Sequence, residues 1–162
     1  MNDSTFLVVH VRLATGKPFE EVADGIVRQL GRFDPEVYRP LDAAGAPGTV
    51  RAGLEAMEGS SGFMLFGKHD HGLLLRIAGQ KRKAVQYVLG NPLFAVRMTE
   101  HDSRASLYAP LRVLLYENEE RETCLEYDKP SSLFGQFANA EITAVATMLD
   151  RKMEVLAAKA IG

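Results

Sequence analysis

Between residues 84 and 128, three short stretches alternate in a way that leaves one side of each almost wholly apolar. In Ala84–Leu89 that side is Val85, Tyr87 and Leu89; in Leu111–Glu117 it is Leu111, Val113 and Leu115; in Thr123–Asp128 it is Leu125 and Tyr127. A period of two marks a strand, because successive Cβ atoms point to opposite faces of a sheet. Strands of this kind pair into a sheet whose apolar face must be covered. The charged turn Asn118–Glu122 joins the last two as a hairpin.

Two helices supply the cover. Phe19, Val22, Ala23, Ile26, Val27 and Leu30 recur at helical spacing after the turn Thr15-Gly16-Lys17, with Pro18 suited to the first helical position and Gly31 as the stop. Glu141–Ala160 carries a second stripe of Ile142, Val145, Ala146, Leu149, Met153 and Leu156. Thr5–Leu13 reads as a first strand, with Leu7, Val9, Val11 and Leu13 on the apolar face, and Phe63–Lys68 as a second. Asp70 caps a short helix at Gly72–Ala78 that Gly79 ends, and Asn91-Pro92 opens another that runs to about His101. Residues 34–62 are broken by Pro35, Pro40, Gly45, Pro47 and Gly48, leaving room for one short helix around Val50, Leu54 and Met57. They read as an irregular surface excursion, either structural or a lid over a pocket. The class is α+β, and 162 residues are expected to form a single domain over 1–162.

Charge and cysteine content narrow the function. Nineteen Lys and Arg against twenty-one Asp and Glu leave a net charge of −2, which argues against nucleic acid as a partner, since phosphate binding needs a basic excess. The longest basic run, Lys81-Arg82-Lys83, reads as a solvated loop. No apolar run approaches the roughly 20 residues that span a bilayer, so no membrane partner is expected. Cys124 is the sole cysteine, which excludes an intramolecular disulfide and a multi-cysteine zinc site. Met1-Asn2-Asp3-Ser4 lacks the basic region of a secretory signal, and the expected location is the cytoplasm.

The sheet face turned from the helices is mixed: Phe6, Val8, His10, Arg12, Gln86, Val88, Arg112, Leu114, Tyr116, Cys124 and Glu126. Apolar residues within a polar surround suit a partner or ligand surface, and an ordinary amphipathic face is the alternative. A homodimer through Phe6, Val8, Val88 and Leu114 and a small-molecule groove anchored by Arg112 and His10 are the two uses considered. His69-Asp70-His71 is not read as a metal site, because no HExxH or paired Cys/His spacing accompanies it. Cys124 as a nucleophile would need a histidine such as His10 beside it. No Gly-x-Ser-x-Gly elbow, Walker loop or dinucleotide-binding glycine pattern is present.

Three stretches are similar to a known family. Val88-Leu89-Gly90-Asn91-Pro92-Leu93 resembles the strand–Gly-Asn-Pro–helix junction of the domain of unknown function 302 family. Ala109-Pro110-Leu111-Arg112-Val113-Leu114-Leu115-Tyr116-Glu117 resembles its Pro-x-Arg strand, and Tyr127-Asp128-Lys129-Pro130 its Tyr-x-x-Pro closure. Asp70-His71 falls where the family has an Asp-His pair, and the likeness runs from about Gly62 to Ala160. The resemblance implies a TATA-box-binding-protein-like fold, a curved antiparallel sheet with two long helices on one face. It implies no activity.

The sequence-based reading is therefore a non-enzymatic domain that binds a small molecule or pairs with a second copy. The candidate ligand residues are His71, Asn91, Arg112, Tyr116, Tyr127 and Asp128. The alternative is a small hydrolase or redox enzyme, or a haem-binding protein, using His71, Arg112 and Tyr127, with His10 and His101 as further haem ligands. Catalytic residues and cofactors are unassigned, and no metal is expected.

Overall fold

The structure, a computed structural model, describes residues 3–42 and 46–162. Strand β1 (His10–Thr15) leads through Pro18 into helix α1 (Phe19–Val27) and the two-residue strand β2 (Gly31–Arg32). A 3₁₀ turn at Pro35–Tyr38, helix α2 (Arg39–Asp42) and helix α3 (Pro47–Ala56) precede β3 (Met64–Asp70) and α4 (His71–Leu75). Strand β4 (Ala84–Gly90), helix α5 (Pro92–Thr99), β5 (Leu111–Glu117) and β6 (Thr123–Asp128) follow. Helix α6 (Pro130–Phe134) and the 22-residue α7 (Ala140–Ile161) end the chain.

The six strands form one sheet in the order β1-β6-β5-β4-β3-β2. Five of them pair antiparallel, whereas β2 lies parallel to β3. The core is built as the alternation requires: Val85, Tyr87, Leu89, Val113, Leu115, Leu125 and Tyr127 are buried beneath Val22 and Ile26 of α1 and Val145, Leu149, Met153 and Leu156 of α7. Among the described residues no helix is long and apolar enough to cross a membrane.

Four expectations need correction. The first strand starts at His10, not Thr5, because β6 ends at Asp128 and leaves Thr5–Val9 without a ladder partner. Val9 instead accepts from the Lys129 N–H and donates to the Ser132 hydroxyl. Leu7, assigned to the apolar face, is 91% exposed. Phe6, assigned to the dimer face, packs edge-on against Tyr108 at 5.8 Å as part of the core's margin. The first helix is short, so the sheet carries one long helix and not two. Pro18 stands just outside α1 as its N-cap, and the helix stops at Val27. There the buried Gln29 side chain donates to the carbonyls of Gly25 and Leu156 and turns the chain toward β2.

Candidate functional site

A cleft of about 930 Å³ opens between α3 and α5 at the end of β4. The junction that builds it is local. Gly90 ends β4, the Asn91 side chain accepts from the Leu93 N–H, and Pro92 fills the first turn of α5, where a missing N–H costs nothing. Helix α3 faces the cleft with Pro47, Val50, Arg51 and Leu54, and α5 with Ala95, Val96, Met98 and Thr99. The α3 residues follow helical spacing, whereas α5 lines the cleft with every residue but Arg97. A bulge between Leu65 and Gly67 makes Phe66 the unpaired residue of β3, and Phe66 joins the wall with Leu111, Phe134 and Leu149.

The polar groups at this cleft are few. Asn91 is buried and fully engaged: besides capping α5 it donates to Glu58 Oε1 at 2.7 Å and to the Gly62 carbonyl at 2.9 Å. It therefore ties the excursion to the sheet and has no free donor for a ligand. Burial raises the Tyr38 phenol above its ordinary pKa, so it is a neutral hydroxyl. The Thr99 and Ser106 hydroxyls donate to carbonyls in their own turns, Val96 and Ser103. Arg51 is the one charged side chain among the described residues that line the cleft.

The uncovered face of the sheet holds a different arrangement. His10 Nε2 lies 2.9 Å from Glu126 Oε2 and its Nδ1 2.9 Å from Asp128 Oδ1. With carboxylates on both ring nitrogens the imidazolium form is favoured, and the hydrogen bonds to Asp128 and then Glu126 raise the His10 pKa. Glu126 Oε1 also accepts from Tyr116 at 2.6 Å and lies 3.2 Å from Arg12 Nε. Burial opposes ionisation of Glu126, but the bonds from Tyr116 and His10 outweigh it and hold the carboxyl below its usual range. Burial and then the bond to Glu126 raise the Tyr116 pKa. Cys124 is buried, with Arg12 Nη2 3.8 Å from its sulfur, and both His10 nitrogens are already taken by carboxylates, so the pairing a nucleophilic thiol would need is not formed.

These two places divide the residues singled out in the sequence. Asn91 borders the cleft, while Tyr116 and Asp128 belong to the network on the uncovered face. Arg112 is exposed on that face opposite Val88, since the alternation that sends Leu111 into the cleft sends Arg112 away from it. Tyr127 is buried on the helix-covered face, and burial raises its pKa. His71 opens α4 at the far end of the sheet: Asp70 pairs with Val85 and Val85 with Leu115, whereas Arg112 pairs with Val88. The constellation of His71, Arg112, Tyr127 and Asp128 is thus split between two ends and two faces. None of His10, His71 and His101 lines the cleft. Among the described residues no group of three His, Cys, Asp or Glu could hold a metal ion. Val88 and Leu114, two of the four residues assigned to a dimer face, are half-buried on the uncovered side, and Val8 is exposed outside β1.

A second cleft, about 720 Å³, gathers Lys68, Arg76, Lys81, Arg82, Lys83 and Arg121 from segments far apart in sequence. Three carboxylates share it. Lys83 lies 3.2 Å from Glu20 and 3.6 Å from Glu117, and Asp70 is occupied by the Leu73 N–H. The sequence missed Arg51 at the first cleft for a plain reason: one arginine in a stretch crowded with Pro and Gly carries no pattern.

The stretch that holds the Asn91 junction and the strands around it matches a known family. Residues 42–160 match the model of "Domain of unknown function DUF302". The chain belongs to this family. The DUF302 match begins inside the excursion, ahead of the Gly62 boundary drawn from the motifs, so α3 lies within the family's span. The fold is also similar to that of a solved structure described as an uncharacterised conserved DUF302 protein from Bacillus stearothermophilus, with a TM-score of 0.66 at 13% identity. The likeness covers 93% of this chain and 97% of that one, and at this identity it speaks for the fold alone. No curated protein matches this chain.

Proposed function

We propose that this DUF302 chain is a binding domain for a small, largely apolar molecule held between α3 and α5. The observation that carries this reading is the α3–α5 cleft itself: about 930 Å³, walled by aliphatic and aromatic side chains, with its one buried polar side chain, Asn91, already satisfied. Ligand sites usually fall at roughly 300–1,000 Å³ and combine apolar walls with a few polar groups. We read the helix-backed sheet as the TATA-box-binding-protein-like arrangement that the family resemblance implies, although a fold names no ligand.

The neutral fluorophore N-phenyl-1-naphthylamine tests the reading, because its emission rises in an apolar site. The native protein should bind it saturably. Ala95→Trp, which fills the cleft from α5, should abolish the signal while the circular dichroism melt stays cooperative. Saturable emission that survives in a folded Ala95→Trp protein would move the site elsewhere, and no emission change in the native protein would remove the proposal.

A further inference from the structure

We infer that the cleft takes a small amphipathic anion, with an apolar chain or ring against its walls and a single carboxylate at Arg51; this rests on the α3–α5 cleft being the ligand site. Arg51 lies one helical turn beyond Pro47 and one turn before Leu54, so all three share the face of α3 that borders the cleft. It is exposed, so its guanidinium stays solvated when the cleft holds no ligand. Among the described residues no carboxylate lines the cleft and no ion pair includes Arg51.

Apart from the neutral Tyr38 hydroxyl, the other polar side chains of the lining are spent locally. Asn91 is saturated, and Thr99 and Ser106 donate within their own turns. The fork of N–H donors on Arg51 is the one charged group left to fix a ligand's orientation, and its planar geometry matches a carboxylate through two parallel hydrogen bonds. One cation above apolar walls selects for a single negative charge at one end of the ligand. A neutral hydrocarbon gains only the walls, whereas a dianion brings a second charge that the lining does not meet.

Decanoate and decanol have the same chain and differ at the head, so titration calorimetry of both separates walls from anchor. The native protein should bind decanoate about tenfold more tightly than decanol, the scale of one charge-assisted hydrogen-bonded contact at a solvated site. That advantage should shrink as salt is raised. Arg51→Gln should bring decanoate down to the decanol level and leave decanol unchanged. Arg51→Glu should reverse the preference, favouring decylammonium over decanoate. If both ligands bind the native protein equally, and Arg51→Gln alters neither, the anchor is overturned while the cleft stands. If neither binds, the cleft reading fails with it. An exposed position on α3 tolerates both substitutions, and thermal melts of the variants show that the fold is intact.

Discussion

His10 sits on an open sheet face, yet both its ring nitrogens are engaged by carboxylates of β6. Its folded pKa is raised above 6.5, so the stability it contributes is fully present below about that pH and is lost as pH rises through the folded value. Glu126 works in the other direction. Its folded pKa is lowered from 4.5, so its contribution is present above that value and fades as pH falls through the folded one. The network is therefore complete in the mildly acidic window between them. His10→Gln should lower the melting temperature clearly at about pH 5.5 and scarcely at about pH 9, because the native protein has itself lost the imidazolium there. An equal loss at both would show that the ring contributes only packing. Asn91 offers a sharper case. Its capping role was legible from Asn-Pro after a strand, but its two donor contacts were not, because Glu58 and Gly62 lie in a stretch with no periodicity. Asn91→Asp keeps the acceptor for the Leu93 N–H and turns both donors into acceptors facing a carboxylate and a carbonyl. Denaturant unfolding should show a loss of about 2–4 kcal/mol at neutral pH. The loss should ease below about pH 5, since burial beside Glu58 raises the new carboxyl's pKa and protonation restores a donor.

At the level of elements, legibility follows how much of an element's definition is local. Strands β5 and β6 lie where the alternation placed them, and Asp70 and Asn91 cap the helices they were assigned. Strand β1 was misplaced by five residues at its start because a strand exists only as far as its partner does, and the end of β6 is not written in the sequence of β1. Strand β2 is two residues long and carries no pattern at all. It forms because the chain after α1 passes directly over the chain before β3: Gly31 and Gly59 both donate to the Phe63 carbonyl, and Ser61 donates to Gln29. A Cβ on Gly59 would collide with the backbone of Gln29, Leu30 and Gly31, and one on Gly31 with the Met57 carbonyl. The neighbours are main chain and cannot rotate aside. Gly59→Ala should therefore cost about 3 kcal/mol, in the upper part of the range for single substitutions. Gly48→Ala is the control: an added Cβ there meets nothing, and the extra helix propensity within α3 should be neutral or slightly stabilising. Equal stability of the two variants would mean that the crossing yields.

Seen across the molecule, the chain is held by two apolar clusters of unequal size. The larger runs from Phe19 to Ala160 and unites α1, α5, α6 and α7 with the sheet. The smaller has Val50, Leu54 and Met64 at its centre, with Phe33, Val37, Met57 and Leu93 around it, and it alone carries α3. Elements with fewer buried contacts open at lower free energy than the whole domain unfolds. The backbone amides of α3 should therefore exchange with solvent through a local opening, while those of α7 exchange only near global unfolding. The proposed ligand would bridge this division, since it touches α3 on one side and α5, Phe134 and Leu149 on the other. Opening α3 would release it, as would unfolding. Decanoate at about 100 times its dissociation constant should then raise both free energies by the same amount, about 2.7 kcal/mol, and raise the melting temperature by roughly 5–10 °C. Hydrogen exchange read residue by residue separates this from binding elsewhere: added protection in α7 with none in α3 would mean a ligand that ignores the cleft, and Arg51→Gln should reduce both increments together.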